Sequence, residues 1–222
     1  MICLNHYVSK NHDAENGKIV FAGSSLMEEF PLEQLFLDKE IIVYNRGISG
    51  ATSKDYLEIF DRLILSIQPV HLLINIGSND LADECFEDSH LLDSYRQIFS
   101  KLKKSLPQCA VTFIKFYPVN TGIMQDVSKK QGEQWLLQAS KYRINSRVIE
   151  ASEKISKLAD SNGYETIEVN NLLIDETKQL DALNTKDGIH LTEAAYRKIF
   201  PLIYQHVDLV RKVNKEASDG KK

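Results

Sequence analysis

Proline and glycine are scarce, at 5 and 10 of 222 residues, which excludes collagen-like repeats, Pro/Gly-rich linkers and low-complexity arrays. Cysteine is scarcer still. Cys3, Cys85 and Cys109 are odd in number and far apart, so they build neither a disulfide framework nor paired metal-ligand spacing. The expectation is three reduced thiols in a cytoplasm. Basic charge is short as well: Lys and Arg number 27 against 31 Asp and Glu, for a net charge of −4. With no basic stretch interleaved with aromatics, phosphate-driven nucleic-acid binding has no platform. No apolar run approaches the roughly 18 to 20 residues of a membrane helix, and the opening MICLNHYVSKNHDAENGK lacks the basic lead and apolar core of a signal peptide. The expectation is therefore no membrane span and no secretion by that route.

What the chain does have is 43% hydrophobic residues, grouped in short apolar runs that alternate with longer segments of helical period. The runs Ile19 to Ala22, Ile41 to Tyr44, His71 to Ile76, Ala110 to Phe116 and the weaker Glu165 to Val169 read as buried strands. Ser53 to Ile67 and Leu91 to Leu106 each gather their apolar residues on one helical face. One or two helices are expected between Lys129 and Ser161, and a last one over Thr192 to Val213 with Thr192 as its N-cap. This is the pattern of an α/β protein with a parallel sheet. Without a linker or repeat, residues 18–213 read as a single domain, preceded by an N-terminal segment (1–17) and followed by a frayed tail (214–222). The stretch Tyr117 to Tyr142, which carries the single tryptophan, Trp135, is longer than a crossover needs. It reads equally as a packed surface helix or as a source of substrate contacts.

In an open parallel sheet, ligands bind beyond the carboxyl ends of the strands. The first three strands run directly into Gly23-Ser24-Ser25, Asn45-Arg46-Gly47-Ile48-Ser49-Gly50 and Gly77-Ser78-Asn79-Asp80. These segments bring a hydroxyl, a flexible glycine amide and a side-chain amide to one rim, which lacks only a base. His190 offers one just before the last helix, and Asp187, three residues earlier, could fix its tautomer. Taken singly each element is weak, because a serine after a strand is commonly a helix cap and Asn-Asp a turn pair. The other histidines, His6, His12, His71, His90 and His206, are expected to lack a partner like Asp187. Walker, G-x-G-x-x-G and G-x-S-x-G motifs are absent, no cluster has zinc spacing, and Glu28-Glu29 read as exposed charges. No cofactor or metal is called for.

Together the four segments, Gly23-Ser24-Ser25, Asn45 to Thr52, Gly77 to Asp80 and Asp187-Gly188-Ile189-His190, stand in the order and approximate spacing of the sequence blocks of the SGNH, or GDSL-like, hydrolases. The resemblance covers about Lys18 to Pro201. It departs from the family pattern at Ser24 and Ala51, where Asp is common, and the latter puts the support of the second loop in doubt. The resemblance implies a single-domain, flavodoxin-like three-layer sandwich of about five parallel strands with helices on both faces. It makes Ser25 the nucleophile, His190 the base and then the acid, and Asp187 the orienting carboxylate. The backbone amides of Ser25 and Gly50 and the Asn79 side chain become the oxyanion hole, with Gly50 preferred over Gly47, which reads as a turn glycine. The implied activity is a serine esterase acting through an acyl-enzyme, near the platelet-activating-factor acetylhydrolase-like branch. The expected substrate is a small acylated molecule with a short acyl ester, acetyl first, because the acidic chain carries no basic amphipathic helix for a lipid surface and its helices read as fully used in covering the sheet. A lysophospholipase- or thioesterase-like hydrolase and a non-catalytic binding module on the same fold are the alternatives, and homo-oligomerisation stays open.

Overall fold

A computed structural model describes residues 4–219. Five strands, β1 (Ile19–Gly23), β2 (Val43–Gly47), β3 (His71–Asn75), β4 (Ala110–Ile114) and β5 (Glu165–Ile167), form one all-parallel sheet in the order β2-β1-β3-β4-β5. The helices are α1 (Leu4–Ser9), α2 (Ser25–Glu28), α3 (Leu32–Phe36), α4 (Ser53–Leu63), α5 (Asp88–Ser105), α6 (Thr121–Gln131), α7 (Gln134–Tyr142), α8 (Asn145–Ser161) and α9 (Glu193–Asp219).

Successive residues of a strand face opposite sides of a sheet, and here both sides are covered, so β1 and the centre of β3, Leu72 to Ile74, are apolar without alternation. Val20, Ala22, Leu72 and Ile74 pack with Tyr56, Phe60, Tyr95, Phe99 and Ile155 of α4, α5 and α8. Ile19, Phe21 and Leu73 face the other way, onto Leu26, Phe36, Tyr196, Ile199 and Ile203 of α2, α3 and α9. The result is the expected flavodoxin-like α/β sandwich. Its strand order reverses between β1 and β3, the point at which doubly wound sheets open a crevice.

Several boundaries differ from the sequence reading. β2 begins two residues late and continues to Gly47, because this edge strand is only half-buried and its polar Asn45 and Arg46 side chains are satisfied locally. The region from about Lys129 to Ser161, expected to hold one or two helices, holds two whole ones, α7 and α8, and the end of an unexpected helix, α6, which begins at Thr121. Gly132, at φ 74°, ends α6 in a left-handed turn, and α7 stops at Arg143 before α8 starts. Thr192 does cap α9, its hydroxyl accepting from Ala195 N at 3.2 Å. α9 itself runs on to Asp219, so the part of the tail from 214 to 219 is helical, while residues 220–222 lie outside the described residues. The helices are not wholly consumed in covering the sheet, since Leu202, Leu209 and Val213 are exposed along one side of α9.

Within the N-terminal segment, Lys10 and Asn11 are held against α4 and edge strand β2, while residues 1–3 lie outside the described residues. Asn11 Nδ2 donates to the carbonyls of Arg62 and Leu63, both at 2.9 Å, and buried Arg46 donates to Asn11 Oδ1 at 2.7 Å and to Lys10 O at 3.0 Å. No helix among the described residues is long and apolar enough to cross a membrane.

Candidate active site

β1 delivers Gly23 to the rim of the sheet, and the chain turns at once into the short helix α2 with Ser25 as its first residue. The first amides of a helix have no intrahelical acceptor, which leaves the Ser25 N–H available to an outside group. Neighbouring Ser24 is fully buried and its hydroxyl has no partner among the described residues. Ser25 instead sits at the cleft surface with its Oγ 3.0 Å from His190 Nε2.

The segment before α9 folds tightly around Thr185, whose hydroxyl donates to His190 O at 2.9 Å and accepts from Gly188 N at 2.8 Å. Within that turn one carboxylate serves two purposes. Asp187 Oδ1 accepts from the backbone amides of Ile189 (2.9 Å) and His190 (2.7 Å), while Oδ2 faces His190 Nδ1 at 2.6 Å. Burial would raise the Asp187 carboxyl, but the hydrogen bond and charge of His190 and the two backbone amides outweigh it and hold the group below its ordinary range. Asp187, His190 and Ser25 thus form one hydrogen-bonded chain across 165 residues of sequence.

The loop after β2 carries Gly50 to the opposite wall at φ 76°, a left-handed conformation that a Cβ would strain. The doubt raised by Ala51 is met by other anchors. The Glu28 carboxylate accepts from Ser49 N at 2.9 Å and also from the Ser49 hydroxyl, and Thr52 with Asp55 forms a reciprocal capping box at the start of α4. Glu28 is therefore not an idle surface charge, and exposed Glu29 pairs with Lys186 at 2.9 Å. Gly47 does not serve a turn. It is the last residue of β2, and a Cβ there would lie 2.1 Å from Glu28 N, so its hydrogen lets α2 lie directly on the strand.

The loop after β3 is tied to the loop after β2. Asp80 accepts from Ser53 N (2.9 Å) and Ser53 Oγ (2.6 Å), and Asn79 Nδ2 donates to Ala51 O at 3.0 Å. Asp80 is buried enough that desolvation raises its pKa despite the Ser53 hydrogen bonds. On its other side Asn79 Oδ1 accepts from Arg143 Nη1 at 3.4 Å.

Ser25, Gly50, Asn79 and His190 line one cleft of about 630 Å³, together with Ala82, Trp135, Ala139, Arg143 and Ile189. The predicted site residues are thereby brought together, with Asp187 behind His190. The tryptophan of the long connection is not a packed core residue. It is 48% exposed and stands edge-to-face with the His190 ring, centroids 6.0 Å apart. Arg143 had no signal in the sequence, because nothing in a helix-terminal Arg foretells burial. Of the histidines expected to stand without a carboxylate, His12, His90 and His206 each have one within reach (Asp13, Glu87 and Glu165), but none of them lines the cleft. Among the described residues no group of His, Cys, Asp and Glu could hold a metal ion.

Residues 31–198 match the model of the GDSL-like lipase/acylhydrolase family. The chain belongs to that family and is an ester hydrolase. The matched span contains three of the four rim segments and begins after Ser25. Solved structures share the fold across nearly the whole chain. One from Streptococcus pneumoniae, described as a candidate platelet activating factor, has a TM-score of 0.77 at 23% identity, covering 91% of this chain and 89% of that one. A candidate acylhydrolase from Bacteroides fragilis gives 0.73 at 20%, covering 96% and 97%. An acetyl xylan esterase gives 0.67 at 19%, covering 86% and 99%. No curated protein matches the sequence.

Proposed function

We propose that the protein is a serine esterase that cleaves short acyl esters, acetyl esters first among them, through an acyl-enzyme. The observation that carries this reading is the chain from Asp187 Oδ2 to His190 Nδ1 (2.6 Å) and from His190 Nε2 to Ser25 Oγ (3.0 Å). With Nδ1–H donated to the carboxylate, Nε2 is the free base and faces the hydroxyl. His190 takes the Ser25 proton as Oγ attacks the acyl carbon. The carbonyl oxygen gains the electron pair and is held by the amides of Ser25 and Gly50 and by Asn79 Nδ2. Collapse expels the alcohol, protonated by the imidazolium, and water then repeats the sequence on the acyl-enzyme. Trp135, beside His190 at the mouth, offers a face for the leaving alcohol.

A short acyl group accords with the apolar Ala82, Ala139 and Ile189, which line the same cleft as the candidate nucleophile, and a fold neighbour is described as an acetyl xylan esterase. Cys85, exposed, and Cys109, buried, are both free, which accords with a cytoplasmic setting; Cys3 lies outside the described residues.

The test has two parts. A fluorophosphonate should label the wild type and not Ser25→Ala; undiminished labelling of the variant would remove Ser25 from the role. Across p-nitrophenyl esters, rates should peak at about two to four acyl carbons, each added methylene contributing up to about 0.8 kcal/mol only while room remains. A rate still rising at about ten carbons, or jumping above the micelle concentration, would turn the reading to a lysophospholipase-like hydrolase.

A further inference from the structure

Arg143 lies at the end of α7 with 2% of its surface exposed. Burial lowers its pKa to about 10, against the opposing field of Asp187. Its Nη1 donates to Asn79 Oδ1 at 3.4 Å, while Nε and Nη2 have no hydrogen-bond partner among the described residues. A cation held this way is costly to the fold, because desolvation is repaid only by good pairing. Something other than stability accounts for its position.

Its geometry toward Asn79 supplies a reason. A guanidinium only donates and a carbonyl oxygen only accepts. Asn79 stands between the two, its Oδ1 toward Arg143 and its Nδ2 toward Ala51 O. Turning the amide over would set NH2 against the guanidinium and oxygen against oxygen, both repulsive. The clamp therefore admits one orientation. Ala51 occupies one N–H of the amide, and the second is left for the cleft that Asn79 lines. A cation one hydrogen bond behind that N–H also polarises it, and buried as Arg143 is, its field is less screened than at the surface.

We propose that Arg143 is a positioning residue of the oxyanion hole, fixing the Asn79 amide with its free N–H toward the developing charge. The proposal rests on the reading of Asn79 as an oxyanion donor given above.

The full-length wild type, Arg143→Met, Arg143→Lys, Asn79→Ala and Asn79→Ala/Arg143→Met are compared for kcat and KM on p-nitrophenyl acetate, with Ser25→Ala as the control and a thermal midpoint for each. Arg143→Met should lower kcat about 10- to 100-fold with KM within about twofold, the signature of an interaction made in the transition state. Arg143→Lys keeps the charge without the planar fork, so its kcat should fall between those of Arg143→Met and wild type. In the Asn79→Ala background, Arg143→Met should cost less than about threefold more, because the amide it holds is gone. A raised KM with unchanged kcat would overturn the proposal and make Arg143 a contact for an anionic group of the substrate. The same fold-loss in both backgrounds would overturn it as well, leaving a role independent of Asn79. If Arg143→Met does not fold, Arg143→Lys decides: a lowered kcat at unchanged KM supports the proposal, and a wild-type kcat or an altered KM refutes it. Wild-type turnover by Ser25→Ala would instead sink the reading of this cleft as a serine-esterase site, so the two failures stay distinct.

Discussion

At the residue scale, the Asp187 carboxylate does two jobs that one substitution separates. In Asp187→Asn the side-chain oxygen can still accept from the Ile189 and His190 amides, which Oδ1 now binds at 2.9 and 2.7 Å. The turn should survive. An amide NH2 would then face His190 Nδ1, forcing the proton onto Nε2 and pointing N–H at Ser25, so the base is lost without the fold. The expected result is a fall in kcat of about 10³- to 10⁴-fold with little change in thermal midpoint; a variant retaining a tenth of wild-type kcat would mean the carboxylate does not set the tautomer. Asn79→Ala should cost less, about 10²- to 10³-fold and in kcat rather than KM, because its donor acts on charge that exists only in the transition state. A normal kcat with a raised KM would make Asn79 a ground-state contact. In the sequence these positions were singled out by the order and spacing of four segments that resemble one family's blocks, each segment weak alone, and the structure brings them to one cleft. Arg143 and Glu28 were not singled out, since their roles lie in contacts with Asn79 and Ser49, 64 and 21 residues away in the chain.

At the scale of elements, the helix that carries Ser25 rests on β2 through a single missing methyl group. A Cβ on Gly47 would lie 2.1 Å from Glu28 N and 2.5 Å from Glu28 Cα, and backbone cannot swing aside as a side-chain tip can. Gly47→Ala should therefore push α2 off the strand. Overpacking of this kind costs about 1 to 3 kcal/mol, read as a lower urea midpoint, and it should also slow turnover because Ser25 and the Glu28 anchor of Ser49 move together. Wild-type stability and activity in Gly47→Ala would show that the contact relaxes freely. The reading of Gly47 as a turn residue missed this, because a glycine demanded by close approach looks in sequence like one demanded by a turn. The strands of the sheet centre were legible for the opposite reason: buried on both faces, β1 and β3 carry continuous apolar stretches, Ile19 to Ala22 and Leu72 to Ile74. Edge strand β2 is polar over Asn45 and Arg46, and its far end was lost. The extra helix had signals in Asn120, whose side chain accepts from Ile123 N at 3.1 Å, and in Gly132 with its φ of 74°, a cap and a stop that outrank the run of helix formers between them.

At the scale of the whole molecule, a second polar cluster lies at the amino ends of the strands, opposite the rim that holds Ser25. His71, the first residue of β3, is 1% exposed with Nε2 2.8 Å from Thr112 Oγ1 of β4, and the same hydroxyl lies 2.8 Å from His206 Nε2 of α9. The cluster thus stitches the sheet to its last helix. Glu165 Oε2 is 3.5 Å from His206 Nε2, on the solvent side. Burial, with His206 nearby, pushes the His71 pKa down to about 3, and burial lowers His206 too, against the pull of Glu165. An unfolded chain would titrate its histidines near 6.5. Between these values the unfolded state binds the proton that the folded state refuses, so stability rises with pH in this window and is lost as pH falls below about 6.5. For His71 the loss from pH 7.5 to 5.5 is on the order of 1 kcal/mol. His71→Gln removes the titration and can still offer Thr112 a side-chain hydrogen bond. Urea midpoints at the two pH values should therefore draw together in His71→Gln relative to wild type, while kcat at pH 7.5 stays unchanged because the cluster sits at the other end of the sheet. An equal drop in both proteins would place the acid sensitivity elsewhere, and a lowered kcat in His71→Gln would show that the two ends of the sheet are coupled.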